Sequence, residues 1–293
     1  MGISLEEIRC SGYAGNVTLS DRNTFLKAEI LIAALFFIFL AVASAFIIPA
    51  YPAAAEETSR RASGLIQNVI GRFLKPSPLA PFASMAGAVI YALAALILIY
   101  YFFEQTPSPE ILFFALFVLS LSFEGMRLLV PLQKIRRIPA LYLLMASRAL
   151  LFGRFFGIFS LFAASVYAAG LEMQKQQNII MIIALITLVI TLGVPIDVLS
   201  WDTSYCMITG YTSMFRMVEA GMLLITMLSF FISAYSRGSR EYILIGVGSF
   251  LVFLGRNLLL SADTWVTPLP GLAALTAGTY FICTRLHKVY LWL

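Results

Sequence analysis

Eight charged side chains lie inside apolar stretches of this 293-residue chain, and five of them are arginines. The eight residues are Glu124, Arg127, Arg148, Arg154, Asp197, Arg216, Glu219 and Arg256. A charge at the centre of a membrane helix costs about 2.5 to 3.5 kcal/mol on insertion scales, so such residues are normally paired or line a polar cavity. Because a guanidinium presents a planar fork of donors to carboxylates and phosphates, the set apart from Arg154 predicts a ligand-binding site for an anionic group or a lipid headgroup.

The same residues are compatible with two other roles. They can form a purely structural network that holds neighbouring helices in register, with some arginines extending toward the interface. They can also line a pathway for protons or ions, which would require an unpaired acid deeper in the membrane than Asp197. The sequence leaves these alternatives open.

Local spacing predicts that part of the set pairs within single helices. Glu124 precedes Arg127 by three residues, and Arg216 precedes Glu219 by three residues. Residues at i and i+3 are neighbours on a helix surface, so each pair can neutralise itself locally. We therefore expect two of the five arginines to be engaged before any ligand binds.

The remaining charges have no such local partner. Arg148 and Arg154 are six residues apart, which places them about 120° apart around a helix. Arg154 is therefore predicted to reach headgroups or a neighbouring helix, whereas Arg148 and Arg256 are candidates to pair with Asp197. Successive spans cross the membrane in opposite directions, so the end of one span and the start of the next lie on the same side. All eight charges lie at the ends of the third, fifth and seventh predicted spans or at the starts of the fourth and sixth, which predicts that they share one leaflet.

Composition assigns the chain to a bilayer. It is 60% hydrophobic and 12% charged, with a mean hydropathy of +0.90, far more apolar than an ordinary soluble domain. The segments between the spans are too short for a soluble domain of about 50 residues or more. The net charge of +5 comes from basic residues in flanks and loops, where they meet anionic headgroups, so nucleic acid is not an expected partner.

Metal and cofactor chemistry is not expected. The cysteines Cys10, Cys206 and Cys283 have no C-x-x-C spacing, and His287 is the single histidine. A cysteine or histidine metal cage needs several ligands in a compact pattern. We predict no metal and no cofactor, and no protease, hydrolase or nucleotide motif is present in the spans.

The expected fold class is an all-α polytopic integral membrane protein with about eight transmembrane helices. The predicted domains are an N-terminal flank at 1–27, a first transmembrane helix at 28–50, a linker at 51–80 and a seven-helix membrane bundle at 81–293. The bundle spans are placed at 81–103, 109–131, 140–169, 177–199, 212–235, 240–261 and 267–286. Pro195 is expected either to kink the fifth span or to end it early, and Gly153 with Gly157 predicts a close helix approach.

The linker is predicted to contain one interfacial amphipathic helix. Apolar residues recur there at helical spacing from Leu65 to Leu74, opposite Arg61, Arg72 and Lys75. A helix with such a stripe can lie in the membrane surface, and Pro76 would end it.

The chain also contains a possible tandem repeat. Residues of the same type recur 68 positions apart, including the pattern S-x-Y-x-x-G at Ser165 to Gly170 and at Ser233 to Gly238. The spans at 140–169 and 177–199 would then form a hairpin that is duplicated at 212–235 and 240–261. Such a parallel repeat differs from the inverted repeats of many secondary transporters.

The sequence therefore predicts a non-catalytic membrane protein, a sensor or accessory subunit of a larger membrane assembly. Its expected partners are membrane lipids and other membrane proteins or further copies of itself, in a cell membrane, with the bacterial inner membrane favoured. One alternative is a transporter or channel subunit for an anionic solute or lipid, with Arg148, Arg216 and Arg256 along its path. A weaker alternative is a lipid-modifying enzyme that uses Glu219 or Asp197 as acid and base.

Overall fold

A computed structural model describes residues 19–50, 79–104, 106, 108–136, 139–170, 176–202, 204–262 and 264–291. These residues form nine α-helices, one 3₁₀ segment and one two-stranded antiparallel sheet. The elements in chain order are α1 (Leu19–Ala50), α2 (Leu79–Phe103), α3 (Pro109–Ser122), the 3₁₀ segment (Phe123–Leu128), α4 (Leu129–Arg136), α5 (Ala140–Ala168), α6 (Gln176–Gly193), β1 (Ile196–Trp201), β2 (Met207–Thr209), α7 (Thr212–Ser236), α8 (Glu241–Leu260) and α9 (Pro268–Leu291).

The described part of the chain is all-α in class, with seven helical stretches that are long and apolar enough to cross a membrane. They comprise α1, α2, α3 together with the helical residues that follow it, α5, α6, α7 and α8. The α9 helix occupies the position of the eighth predicted span, and its crossing of the membrane stays a prediction. The predicted interfacial helix lies outside the described residues.

The α3 helix forms the centre of the bundle. All of its residues are buried, and it packs against α1, α2 and α5. A helix that is apolar on every side is stable only when other helices surround it. Ser108 caps its N-terminus by accepting a hydrogen bond from the Ile111 amide, and Pro109 occupies the first turn, where its missing N–H costs nothing.

Two glycines let α5 lie directly against α3 and the 3₁₀ segment. A Cβ atom at Gly153 would lie 2.6 Å from the Phe123 Cβ, and one at Gly157 would collide with Ser120. Any larger side chain at either position would push the helices apart. The close approach predicted from the G-x-x-x-G pattern is confirmed.

The predicted fifth span is too long, because α6 ends at Gly193 and the chain then turns into a β-hairpin. Proline lacks the amide hydrogen that a helix needs and restricts the preceding residue to extended conformations. Pro195 therefore ends the helix, and β1 pairs with β2 so that Ile196 lies opposite Thr209. No local sequence pattern indicated this hairpin.

The two S-x-Y-x-x-G segments end their helices in the same way. Gly170 and Gly238 both adopt positive φ, at 114° and 62°, a conformation that glycine adopts without steric cost after a helix. Tyr167, however, is 2% exposed, whereas Tyr235 is 92% exposed. The local backbone agrees with a repeat, while the surroundings of the two copies differ, and the repeat itself stays a prediction.

Candidate functional site

The 3₁₀ segment presents Glu124 and Arg127 from the end of the central helix. In a 3₁₀ helix, residues three positions apart lie on the same side. Glu124 and Arg127 therefore face the same way, and the Arg127 Nη1 atom lies 3.3 Å from the Glu124 Oε2 atom. The predicted local pair is confirmed, with Glu124 4% and Arg127 2% exposed.

Arg154 of α5 is the strongest partner of Glu124. Of the two predicted destinations of Arg154, a headgroup or a neighbouring helix, the structure shows the neighbouring helical segment. Its Nε donates to Glu124 Oε1 at 2.8 Å, and its Nη2 donates to Glu124 Oε2 at 2.9 Å. This geometry is the two-bond fork that makes arginine–carboxylate pairs strong. The close packing at Gly153 brings the two groups together, although they are 30 residues apart in the chain.

The same two arginines hold the β-hairpin against the bundle. Arg127 donates from Nε to the Ser204 carbonyl at 2.9 Å and also from Nη2 to that oxygen. Arg154 donates from Nη2 to the Cys206 Sγ atom at 3.2 Å. Glu124, Arg127 and Arg154 therefore connect α3, α5 and the turn of the hairpin in one network.

Arg256 extends this network to α7 and α8. It is 1% exposed, and its Nη2 lies 3.5 Å from Glu219 Oε1 and 3.3 Å from the Arg154 carbonyl oxygen. The predicted pairing of Glu219 with Arg216 is wrong, because Glu219 is the partner of Arg256 and Arg216 is exposed. We refer to Glu124, Arg127, Arg154, Glu219 and Arg256 as the ion-pair network.

Asp197 and Arg148 lie outside the ion-pair network. Asp197 is an exposed residue of β1, and its carboxylate accepts a hydrogen bond from the Ser200 hydroxyl. Of the two alternatives predicted for the fifth span, the early end at Pro195 is observed, and Asp197 lies beyond the helix. Arg148 is half-buried on α5, and its Nε atom is buried without a hydrogen-bond partner among the described residues.

Cys206 lies in the hairpin, outside the membrane-capable helices, and the ion-pair network shifts the pKa of its thiol. Burial by itself would raise the pKa of the thiol, but the positive charges of Arg154 and Arg127 outweigh burial and hold that pKa below its ordinary value. The thiolate is the reactive form of cysteine. The network therefore favours the charged form of Cys206 and gives the Arg154 guanidinium a second acceptor.

A small cavity lies beside the network, between the 3₁₀ segment, α5 and the hairpin. Its polar lining comes from Arg127, Ser147 and Tyr205, and its apolar lining includes Leu143 and Leu150. The size of the cavity is about that of a single water molecule, which the Arg127 guanidinium and the two hydroxyls can hydrogen-bond.

Three functional candidates were missed in the sequence analysis. Ser204 and Cys206 join the network through the hairpin, which no local pattern indicated. Glu29 of α1 is 3% exposed, and it was not counted among the buried charges although it lies inside the predicted first span at 28–50. The sequence did contain a signal for its burial. Glu29 lies three residues after Leu26 and four before Ala33, which places the acid on an apolar face of the helix.

The structure gathers five charged side chains into one network at the end of α3, but it does not bring Arg148, Arg216 and Arg256 to a shared lining. Arg256 is buried and paired, whereas Arg216 is exposed. No protein-family model matches this chain, and no curated protein is similar to it in sequence.

Proposed function

We propose that this chain is a non-catalytic multi-pass membrane protein that serves as a sensor or accessory subunit of a larger membrane assembly. Its arginine-rich end binds an anionic group, either the phosphate of a lipid headgroup or a free anion. The observation that carries this proposal is the buried Nε atom of Arg148, which has no hydrogen-bond partner among the described residues. A buried donor without an acceptor is unfavourable, so an anion that supplies the acceptor binds with a net gain.

The balance of charge near Arg148 supports the same proposal. The ion-pair network sets the three cations Arg127, Arg154 and Arg256 against the carboxylates Glu124 and Glu219 and the Cys206 thiol, whose charged form it favours. Arg148 adds a further positive charge on α5 outside that balance, and this charge attracts an anion. Arg148 is half-buried rather than enclosed, so a headgroup phosphate or a soluble anion can reach it from outside.

The anion proposal is tested by retention of lipid on the purified protein. Native mass spectrometry with added phosphatidylglycerol is expected to show bound lipid on the wild type and much less on Arg148→Gln. Arg240→Gln is the matched control, because Arg240 is an exposed arginine at the start of α8. It is expected to retain lipid like the wild type, and phosphatidylcholine is expected to bind both variants equally.

A second arm of this experiment separates the two sources of the anion. Inorganic phosphate that displaces phosphatidylglycerol indicates a site for small anions, whereas lipid retained in excess phosphate indicates a headgroup site. Equal retention by Arg148→Gln and the wild type would contradict the proposal.

The subunit part of the proposal is supported by the outer surfaces of α6 and α7. These helices contact the rest of the bundle mainly through α5 and α8, and each exposes large apolar side chains along its length, such as Val189 and Leu185 of α6 and Met217 and Leu224 of α7. Lipid or a partner helix covers such surfaces in a membrane. Purification in mild detergent is expected to recover a stoichiometric membrane partner or an oligomer, and a chain that stays monomeric in native membranes would contradict this part.

A further inference from the structure

The first helix carries a buried carboxyl group that nothing in the ion-pair network uses. Glu29 is 3% exposed, and neither of its carboxyl oxygens has a hydrogen-bond partner in the described structure. Leu26 and Ala33 precede and follow Glu29 on the same face of α1, and both belong to the main hydrophobic core. Glu29 is therefore enclosed by apolar packing on both sides along its helix.

The basic residues of α1 are not counterions for Glu29. Arg22 lies seven residues earlier, about 10 Å along the helix axis. Its Nη2 donates to the carbonyl oxygens of Phe103 and Glu104, at 2.8 and 2.9 Å. Lys27 is exposed, and its ammonium group lies 5.9 Å from the centre of the Tyr100 ring.

The α2 helix and the C-terminal helix place no counterion beside Glu29. The α2 helix contains no Asp, Glu, Lys, Arg or His between Leu79 and Phe103. Its Tyr91 hydroxyl is hydrogen-bonded to Thr279, and its Tyr100 hydroxyl donates to Glu104. His287 of α9 lies against the Phe103 ring, at the end of α2 that binds Arg22. The other cations of α9, Arg285 and Lys288, pair with Glu241.

The ionisable groups of α3 and of the 3₁₀ segment are already engaged elsewhere. Glu110 of α3 accepts hydrogen bonds from the hydroxyls of Ser108 and Tyr290, at 2.9 and 2.5 Å. Glu124 and Arg127 of the 3₁₀ segment belong to the ion-pair network. None of these groups supplies a positive charge to Glu29.

The remaining packed element, α4, meets the other end of α1. It carries Lys134 and Arg136, and the Arg136 guanidinium lies 4.7 Å from the centre of the Phe46 ring. Phe46 is 17 residues beyond Glu29, about 25 Å along the helix. The Arg136 charge is therefore too far away to neutralise Glu29.

An ionised carboxylate is unfavourable in an apolar interior that offers it neither a hydrogen bond nor a positive charge, whereas the neutral acid is tolerated. A metal ion is not the missing partner, because Ca²⁺ and Mg²⁺ need about six oxygen ligands and Glu29 offers only its own two. We propose that Glu29 is a proton-binding site within the membrane part of the chain. It holds a proton while α1 is packed on the bundle and releases the proton to water, leaving a carboxylate, when the group becomes hydrated.

This site is independent of the proposed anion site. Glu29 is an unpaired buried acid in the described structure, and a proton-responsive membrane protein needs such a group. Because the folded state binds a proton that the unfolded state releases at neutral pH, the stability conferred by this site falls as the pH rises.

The test is infrared spectroscopy of the full chain in membranes, which detects the carbonyl stretch of a protonated carboxylic acid directly. The wild type is expected to show this band at neutral pH, and Glu29→Gln is expected to lose it. Glu29→Asp is expected to keep a carboxylic acid band at a shifted position. Glu104→Gln is the matched control, because Glu104 is an exposed acid, and it is expected to leave the band unchanged.

A second measurement follows the melting temperature in mild detergent as the pH is raised. The wild type is expected to lose stability relative to Glu29→Gln as the pH rises. Only the wild type must keep a proton on residue 29 in the folded state that it releases to water when it unfolds. The proposal is overturned if the wild type has no carboxylic acid band at neutral pH, if Glu29→Gln keeps that band, or if the two proteins show the same dependence of stability on pH.

Discussion

Glu124 and Glu29 are equally buried carboxyl groups with opposite surroundings. Glu124 is 4% exposed and accepts hydrogen bonds from Arg154 and Arg127, whereas Glu29 is 3% exposed and accepts none in the described structure. The comparison shows that burial alone does not decide the charge of an acid in a membrane protein. Neighbouring donors decide it, because they replace the water that burial removes.

The largest effect is expected from Glu124→Gln. This change removes the negative charge that faces the buried guanidinium of Arg127 and the half-buried guanidinium of Arg154. It should therefore lower the free energy of unfolding by about 3 to 5 kcal/mol. Thermal unfolding in mild detergent measures the loss, and Glu104→Gln serves as the exposed control. A melting temperature close to that of the wild type would mean that Glu124 is not the centre of the network.

A smaller loss is expected from Arg154→Gln. Glu124 then keeps its contact with Arg127, so the cost should approach that of lost charge-assisted hydrogen bonds, about 1.5 to 3 kcal/mol. Arg154→Lys should recover only part of this loss, because lysine cannot form the two-bond fork. If Arg154→Lys were as stable as the wild type, the positive charge at this position would be sufficient and the two-bond fork would not contribute.

Cys206 is expected to react faster than Cys283 with a thiol-alkylating reagent at neutral pH. Arg154 and Arg127 lower the pKa of the Cys206 thiol despite its burial, which increases the thiolate fraction. Cys283 packs against the hydrophobic core and provides the comparison. Arg154→Gln should raise the pKa of the Cys206 thiol, so alkylation of Cys206 should then require a higher pH. Mass spectrometry of the alkylated peptides measures the extent of reaction at each cysteine.

The smallest change in stability is expected from Glu29→Gln at acid pH. Glutamine has nearly the same shape as a protonated glutamic acid, so the cost should stay within about 1 kcal/mol, near the centre of the range for single substitutions. Thermal unfolding at about pH 5 gives the comparison with Glu124→Gln. A loss as large as that of Glu124→Gln would show that Glu29 is charged and paired.

The S-x-Y-x-x-G segments show how far a sequence pattern extends into structure. Both segments end a helix with a glycine at positive φ, because that requirement is local. The exposed fraction of the tyrosine differs between them, at 2% for Tyr167 and 92% for Tyr235. Tyr167 stacks on Phe113 of the central helix, and that contact depends on which helices surround α5.

Helix positions were predictable because length and hydropathy are local properties. The span predicted at 140–169 is observed at Ala140–Ala168, and that predicted at 212–235 is observed at Thr212–Ser236. The pairing of Glu124 with Arg127 was predictable for the same reason. Pro195 also indicated an early end of α6, but the hairpin that follows depends on pairing between separate segments.

The sequence by itself determined an apolar helical protein with charges gathered at one end of its spans, because hydropathy and helical spacing act over a few residues. Only the tertiary structure decided which charges are satisfied. Arg154 reaches Glu124 across 30 residues and Arg256 reaches Glu219 across 37 residues, while Glu29 is left without a partner in the described structure. Those outcomes depend on how closely helices pack, and the close approach at Gly153 and the apolar enclosure of α1 exist only in the folded bundle.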